Sequence, residues 1–317
     1  MLKKFLSRFV QMILTLLLAT FAIFLLLRAA PVDPITLMIS KPAGQIVADK
    51  ALQEKEIQRL KEEHGLNDSL MKQYFTWIKN ISSGHLGKSI VTGQNIQESI
   101  ARFLPNSLYL AVLYCIIQLV LAGFLGFFSA YYYNKWPDHL IRLLCILLRS
   151  LPSFVICLLL LSLFATKLGV YQISTSAGFS RLWLPAIAAG LTTFPQLSRI
   201  IRNSILDELG RQYVASYISK GFSKFYILKE AFRNALLPIF TSLSISFAGS
   251  IGGMIVTENI FSWPGIGDYG ICSILYQDYP AIQAYVLVVT IFVILINFLT
   301  DTIYPLINPL LRKESNR

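Results

Sequence analysis

Charge is what this sequence has least of. Only 14% of its 317 residues are Asp, Glu, Lys or Arg, against about a quarter in a typical soluble chain, and they are clumped rather than spread. Histidine is nearly missing: His64, His85 and His139 are the three, none beside a cysteine or a carboxylate pair at metal-ligand spacing. The four cysteines, Cys115, Cys145, Cys157 and Cys272, have no paired spacing, and three sit in apolar runs where a thiol is a small core residue. No Ser-His-Asp or paired-carboxylate constellation occurs, so no catalytic chemistry is expected of this chain. A nucleotide loop is missing too. Residues 84–89 read GHLGKS, but the first glycine of a phosphate loop would fall at Ser82, and no strand precedes it.

Where charge is absent, apolar runs take its place, and 55% of the chain is hydrophobic. Uncharged stretches of 19, 32, 17, 24 and 22 residues lie between Arg8 and Arg28, Arg102 and Lys135, Arg181 and Arg199, Arg233 and Glu258, and Asp278 and Asp301. A sixth, residues 143–166, is broken only by Arg149. Crossing a hydrocarbon core takes about 20 residues of helix. Six such runs predict an all-α integral membrane protein with six transmembrane helices. They exclude a soluble enzyme and a disordered chain, and the lack of strict alternation argues against a β-barrel. The first run is longer than a signal-peptide core, and Arg28 occupies the place of a small residue, so it is expected to be retained.

The net charge of +11 is explained by topology rather than by nucleic acid. With the N-terminus inside and the long polar stretch 28–102 set aside, the inside ends of the runs hold fifteen Lys and Arg and the outside ends two, Lys167 and Arg181. That asymmetry is the positive-inside rule, and it places both termini in the cytoplasm. Residues 31–101 then lie outside. Their eight Lys and Arg are matched by eight Asp and Glu, as expected of a small extracytoplasmic domain. The chain thus divides into 1–30 (cytoplasmic N-terminus and first span), 31–101 (outer domain), 102–310 (a core of five spans) and 311–317 (cytoplasmic tail).

Along the chain, helices are expected over about 9–28, 104–133, 139–166, 183–203, 236–259 and 280–305. Pro31 and Pro34 stop the first. In the outer domain, 49–63 reads as a solvated surface helix, and 68–80 as a short helix with Tyr74 and Trp77 on its apolar face. Gly84, Gly87 and Gly93 mark turns. Ser242, Ser244, Ser246, Gly249, Ser250, Gly252 and Gly253 put small side chains in the fifth span, which fits either close helix packing or a solute path. Arg149 and Asp301, in or beside apolar runs, are read as groups near the cytoplasmic face that snorkel or pair, and Glu258 as a group near the outer end of the fifth span. The longest and most basic inside loop, about 205–235, has Tyr213, Val214, Tyr217 and Ile218 at helical spacing, followed by Gly221 and Phe222. It predicts a short amphipathic helix capped at the glycine, lying either on a partner protein or in the headgroup layer.

Several of these stretches together resemble the permeases of binding-protein-dependent ABC importers, in particular the dipeptide, oligopeptide and nickel group. The loop aligns at Ala215, Ser216, Lys220 and Gly221, and again at Arg233, Asn234, Ala235, Leu236 and Pro238. Residues 258–267, ENIFSWPGIG, carry Glu258, Phe261, Trp263, Pro264, Gly265 and Gly267 of an E-x-x-F-x-W-P-G-x-G signature. Asp278 and Pro280 form a D-Y-P element, and Arg28, Pro31, Asp33 and Pro34 match the exit from the first helix. Tyr217 stands where a small residue is usual, and Asp268 where a basic one is common. The resemblance covers almost the whole chain. It implies a gate without a nucleotide site or cofactor of its own in a bacterial inner membrane. Its partners would be a second homologous permease in a heterodimer, two ABC ATPase subunits that bind ATP and Mg, and an external solute-binding protein. The loop would dock as a coupling helix on an ATPase, and the solute would be a peptide, nickel or a metal chelate. A stand-alone ion-coupled transporter is the alternative, and it would need a midplane relay of ionisable groups and internal repeats, neither of which the sequence has.

Overall fold

A computed structural model describes residues 2–28, 58–59, 68–174 and 178–307. The expected surface helix 49–63, apart from residues 58 and 59, and Pro31, Asp33 and Pro34 lie outside the described residues; Arg28 is the last residue of the first helix. The described elements are helical: α1 Leu2–Arg28, α2 Leu70–Ser82, α3 Ile96–Tyr131, α4 Trp136–Ser150, α5 Ser153–Leu161, α6 Phe179–Leu209, α7 Gln212–Ser219, α8 Lys224–Asn234, α9 Leu236–Gly253, α10 Ile255–Ile260, α11 Ile266–Leu275 and α12 Tyr279–Ile307. A π-helical turn, Ser162–Lys167, continues α5. No strand forms among the described residues, only a single antiparallel bridge between Lys88 and Asn95.

Among the described residues, four helices are long and apolar enough to cross a membrane: Leu6–Leu26, Ile96–Tyr131, Leu236–Gly253 and Tyr279–Ile303. The pair Trp136–Ser150 and Ser153–Lys167 makes a fifth if it is taken as one span, bent by 95°. The expected single helix over 139–166 is therefore broken. Pro152 denies the helix a donor and pushes its predecessor out of the helical region, and Leu151 is extended at φ −79°, ψ 132°. Similarly, the expected helix 236–259 ends at Gly253 and resumes as α10 after Met254. The helix expected from residue 104 begins at Ile96, eight residues earlier, with Pro105 inside it. The fourth expected span forms as α6 but does not meet the same test of length and apolarity.

Two compact units divide the chain, one built on Pro105–Asp268 with the two chain ends, the other on Val10–Leu104 with Tyr269–Ile291. In the larger unit α6 is the central element, in contact with α4, α5, α8, α9 and α10. Phe194, Leu197, Ile201 and Ile205 of α6 form one core with Leu228, Ala231 and Ile239; Leu182, Ala186 and Ala189 form a second with Leu110, Tyr114 and Trp263. A helix screened by protein on so many sides need not be apolar all round. Glycines set its closest approach to α3. A Cβ at Gly190 would sit 2.6 Å from Ile117 Cγ2, and one at Gly126 would sit 2.7 Å from the Ser198 carbonyl, the small-residue contact expected between membrane helices.

In the smaller unit Tyr74 of α2 is buried against Phe21 and Phe24 of α1, and its hydroxyl donates to the Leu17 carbonyl at 3.2 Å. The apolar face read in 68–80 is this contact. Gly84, Gly87 and Gly93 all have positive φ, as their turn assignment requires.

One buried ion pair had no signal in the sequence. Arg202 of α6 donates through Nε and Nη2 to Asp138 of α4, both at 2.8 Å, and Asp138 also accepts from Ser129 Oγ (2.5 Å) and the Asn134 amide (3.0 Å). Asp138 is fully buried, so removing it strands a charge. Asp138→Ala is expected to destabilise the protein by about 3–5 kcal/mol, whereas Asp138→Leu with Arg202→Met costs far less because no charge is orphaned. Denaturant unfolding in detergent of both variants measures the difference.

Candidate functional site

The signature 258–267 folds around its own glutamate. Glu258 lies in α10 with no exposed surface, beyond the span that ends at Gly253. Its carboxylate accepts from the amides of Gly267 (2.8 Å) and Asp268 (3.0 Å) through Oε2, and from Ser107 Oγ (2.5 Å) through Oε1. Ser107 Oγ in turn accepts from the Ile266 amide at 2.7 Å. The loop is thus drawn onto the N-terminal half of α3. The neighbouring Asn106 completes the attachment: its Nδ2 donates to the Pro264 carbonyl (2.7 Å), and its carbonyl accepts from Trp263 Nε1 (3.1 Å).

This arrangement gives each signature residue a physical reason. A Cβ on Gly265 would lie 2.2 Å from the Glu258 carboxyl carbon, and one on Gly267 would lie 2.8 Å from Oε2, so the glutamate leaves room for glycine alone. Trp263 is buried with Leu110 and Tyr114. Phe261, fully buried, packs edge-on against Tyr171, and its carbonyl accepts from Arg181 Nη2 at 3.3 Å. Pro264 presents the carbonyl that Asn106 holds. Burial pushes the Glu258 carboxyl up to about 7, the Asp268 charge adds to the rise, and the Ser107 and amide bonds pull against it. Burial also raises Asp268, whose Oδ1 accepts from Asn259 Nδ2 at 3.4 Å.

Asp278 and Pro280 belong to the smaller unit. Asp278 is buried and caps α12, accepting from the Ala281 amide at 3.4 Å. It also accepts from Ser89 Oγ and from the Ile90 amide at 3.2 Å. Pro280 occupies the first turn of α12, where the missing donor costs nothing. The GHLGKS segment is therefore a tight turn fastened by its serine.

At the other end of α6 lies the basic loop. Helix α7 closes on Gly221, whose φ is +76°. The Gly221 amide donates to the Ile218 carbonyl (3.0 Å) and the Phe222 amide to the Tyr217 carbonyl (3.1 Å), with the Phe222 and Tyr217 rings in contact at 5.3 Å. Those two bonds and the ring contact make a Schellman cap. Tyr217 thus has a local role: it also meets Tyr213 and Tyr226 edge-on, while Phe222 stacks on Tyr226 at 4.7 Å. Asn234 Nδ2 donates to the Tyr213 hydroxyl (3.1 Å), which donates to Glu208 Oε2 (3.2 Å); Arg211 pairs with the other Glu208 oxygen at 2.9 Å. Burial and the Glu208 charge raise Tyr213. Lys224 Nζ caps the end of α3, donating to the Tyr131 carbonyl at 2.6 Å.

Val214 is buried, whereas Ala215, Ser216, Ile218 and Lys220 are exposed. One face of α7 is held by aromatic rings and the other is bare. Arg233 is exposed and 3.9 Å from Glu230. Glu208 and Arg211 take part in this network without having been singled out in the sequence; their only signal there was the i, i+3 opposite charge.

Because the Glu258 carboxyl fills the space of a methyl at 265, Gly265→Ala is expected to destabilise the protein by about 1–3 kcal/mol. Adding Glu258→Ala to that variant should cost less than Glu258→Ala does alone, since the clash is relieved. A double-mutant cycle of unfolding in detergent checks the coupling, and additive losses would sink it.

Comparison with known proteins places both loops in one family. Residues 122–313 match the family described as binding-protein-dependent transport system inner membrane component, and residues 1–111 match its N-terminal counterpart. The glutathione transport system permease protein GsiC of Salmonella paratyphi A is 32% identical over 98% of this chain and 99% of its own length. That of Escherichia coli K12 is 30% identical with the same coverage. An inward-facing structure of the MetNI methionine ABC transporter shares the fold, with a TM-score of 0.56 at 14% identity, over 66% of this chain and 96% of that one. This chain belongs to the binding-protein-dependent transport system inner membrane components, and is a multi-pass permease subunit of an ABC importer.

Proposed function

We propose that the chain is the gate for a peptide of a few residues, opened and shut by ATPase subunits that grip α7 from the cytosol. The observation that carries this reading is the bare face of α7, with Ala215, Ser216, Ile218 and Lys220 exposed on a helix whose other face is fixed by Tyr213, Val214 and Tyr217. Helix α7 rests on the end of α6 and on α8, and α8 packs on α6 and α3, so a push on α7 passes through them into the membrane core. ATP and Mg belong to the ATPases, and their closure biases the gate between two states. A second, related permease forms the other half of the gate. The external binding protein delivers solute to the outer surface, where the 258–268 loop lies. Both termini are cytoplasmic on this reading, supported by the asymmetry of Lys and Arg. The peptide class is supported by the relatives' glutathione transport, glutathione being a tripeptide.

Reconstitution with the partner subunits and binding protein, followed by ATP-dependent uptake of labelled glutathione and di- and tripeptides, tests the proposal. Uptake by this chain alone on an ion gradient would overturn it, and preferential uptake of nickel would replace the solute class. Gly221→Leu forces a side chain into a left-handed conformation that costs about 1–2 kcal/mol. Uptake per ATP hydrolysed should then fall on the order of tenfold, with membrane insertion unchanged. Coupled transport at the wild-type ratio in that variant would remove α7 from the mechanism.

A further inference from the structure

Glu258 is the one carboxyl among the described residues that is wholly enclosed, holds a whole loop and has no cation beside it. Its three donors come from two places: Ser107 on α3, and the adjacent amides of Gly267 and Asp268 at the start of α11. Lys and Arg make their described ion pairs elsewhere. The charged and titratable groups around the clip are few. Asp268 belongs to the loop itself; Arg181 of α6 gives its guanidinium to the carbonyls of Gln172 and Phe261; Tyr171 packs under Phe261; Cys157 of α5 meets Thr257 at 3.8 Å. The nearby anion is a repulsive one, and the cation is taken up by backbone.

We propose that Glu258 is a positioning residue that works as a neutral carboxylic acid, latching the Trp263–Asp268 loop onto α3 by a hydrogen bond from its own proton to Ser107. The geometry accommodates that proton with the carboxyl keeping all three of its contacts, at the cost of the acceptor for the Ser107 hydroxyl's own hydrogen. With the hydrogen on Oε1, the short contact to Ser107 is kept with the carboxyl as donor, and Ser107 Oγ accepts both it and the Ile266 amide on its two lone pairs. Oε2 continues to accept the amides of Gly267 and Asp268. Ionisation keeps the same number of contacts but leaves an unpaired charge with no surface in water, which an enclosed group avoids by holding its proton.

The linkage has a definite sign. An opened loop returns Glu258 to water, where a glutamate titrates near 4.5, while the closed one holds it near 7. The closed form therefore binds the proton more tightly. The latch is at full strength in acid and is lost as the pH rises through neutrality. At neutral pH the proton's contribution to the closed loop is therefore already partly lost. This goes beyond the proposed function, since it requires neither a particular solute nor the ATPase contact.

Hydrogen exchange read by mass spectrometry on peptides covering 261–270, with the full chain in lipid nanodiscs and intrinsic exchange divided out, reports the latch directly. Between about pH 5.5 and 8.5 the protection of the 266–268 amides is expected to fall on the order of tenfold or more. Glu258→Gln keeps an acceptor for the amides and a donor for Ser107 but cannot ionise, and its protection should be flat with pH. Wild-type protection that does not change with pH would overturn the proposal. So would a Gln variant that follows the wild-type curve, which would assign the titration to Asp268. Should the Gln variant fail to fold, the wild type still decides: peptides of α8 must keep constant protection while 266–268 lose theirs.

Discussion

The larger unit depends on a helix that is shielded from lipid. Helix α6 is enclosed by neighbours at most of its turns, and this enclosure lets it carry what a lipid-facing span could not: prolines at 185 and 195, and arginines at 181 and 202. A charge in hydrocarbon is expensive, but each of these arginines is satisfied within the protein. Arg202 meets Asp138 and Arg181 meets carbonyls of Gln172 and Phe261. Glycines at 126 and 190 make that enclosure possible, because any larger residue would hold α3 away. The larger unit is therefore built on a polar-tethered axle, with α4, α5, α8, α9 and α10 in contact with it.

The same helix spans the distance between the two functional loops. Its 31 residues reach about 46 Å, comparable with the whole bilayer including headgroups. Near its start, Arg181 holds the loop through the Phe261 carbonyl; near its end, Glu208 holds α7 through Tyr213. A stiff element fixed at both ends by buried polar contacts transmits displacement better than a flexible one, and interior packing leaves little slack to absorb it. The physical route from α7 to the 258–268 loop thus lies inside one chain and along one helix.

How much of this could be read in the sequence follows from the range of each interaction. The cap at Gly221 was legible because it is local: an amphipathic octet, then glycine, then an aromatic to cover the cap. The turns at Gly84, Gly87 and Gly93 were legible for the same reason. Helix ends were less so. Pro152 falls inside the expected span 139–166, but that the chain would bend sharply there rather than pass through, as it does at Pro185 and Pro195, depends on what surrounds each site. The Asp138–Arg202 pair joins residues 64 apart in sequence, and no periodicity in either segment points to the other. Glu258 stood out as a charge near a span's end, but its glycines could be matched only by resemblance. Their reason, a carboxyl already occupying the place of a methyl, exists only once the loop has folded.

That last relation explains why the signature is written in such dissimilar residues. A buried carboxyl demands donors; two come from the backbone amides of Gly267 and Asp268, and the chain can pass that close to the carboxyl only with glycine at 265 and 267. Glutamate and glycine are therefore two halves of one requirement. Tryptophan and proline supply the rest, one an apolar body with a single donor to spend on Asn106, the other a rigid bend whose carbonyl Asn106 takes in return. A loop built this way has few alternative arrangements while its carboxyl is satisfied, and loss of that bond removes one attachment to α3 while those of Trp263 and Pro264 to Asn106 remain. The loop is also tied, through the Phe261 carbonyl, to Arg181 of the helix whose far end holds α7.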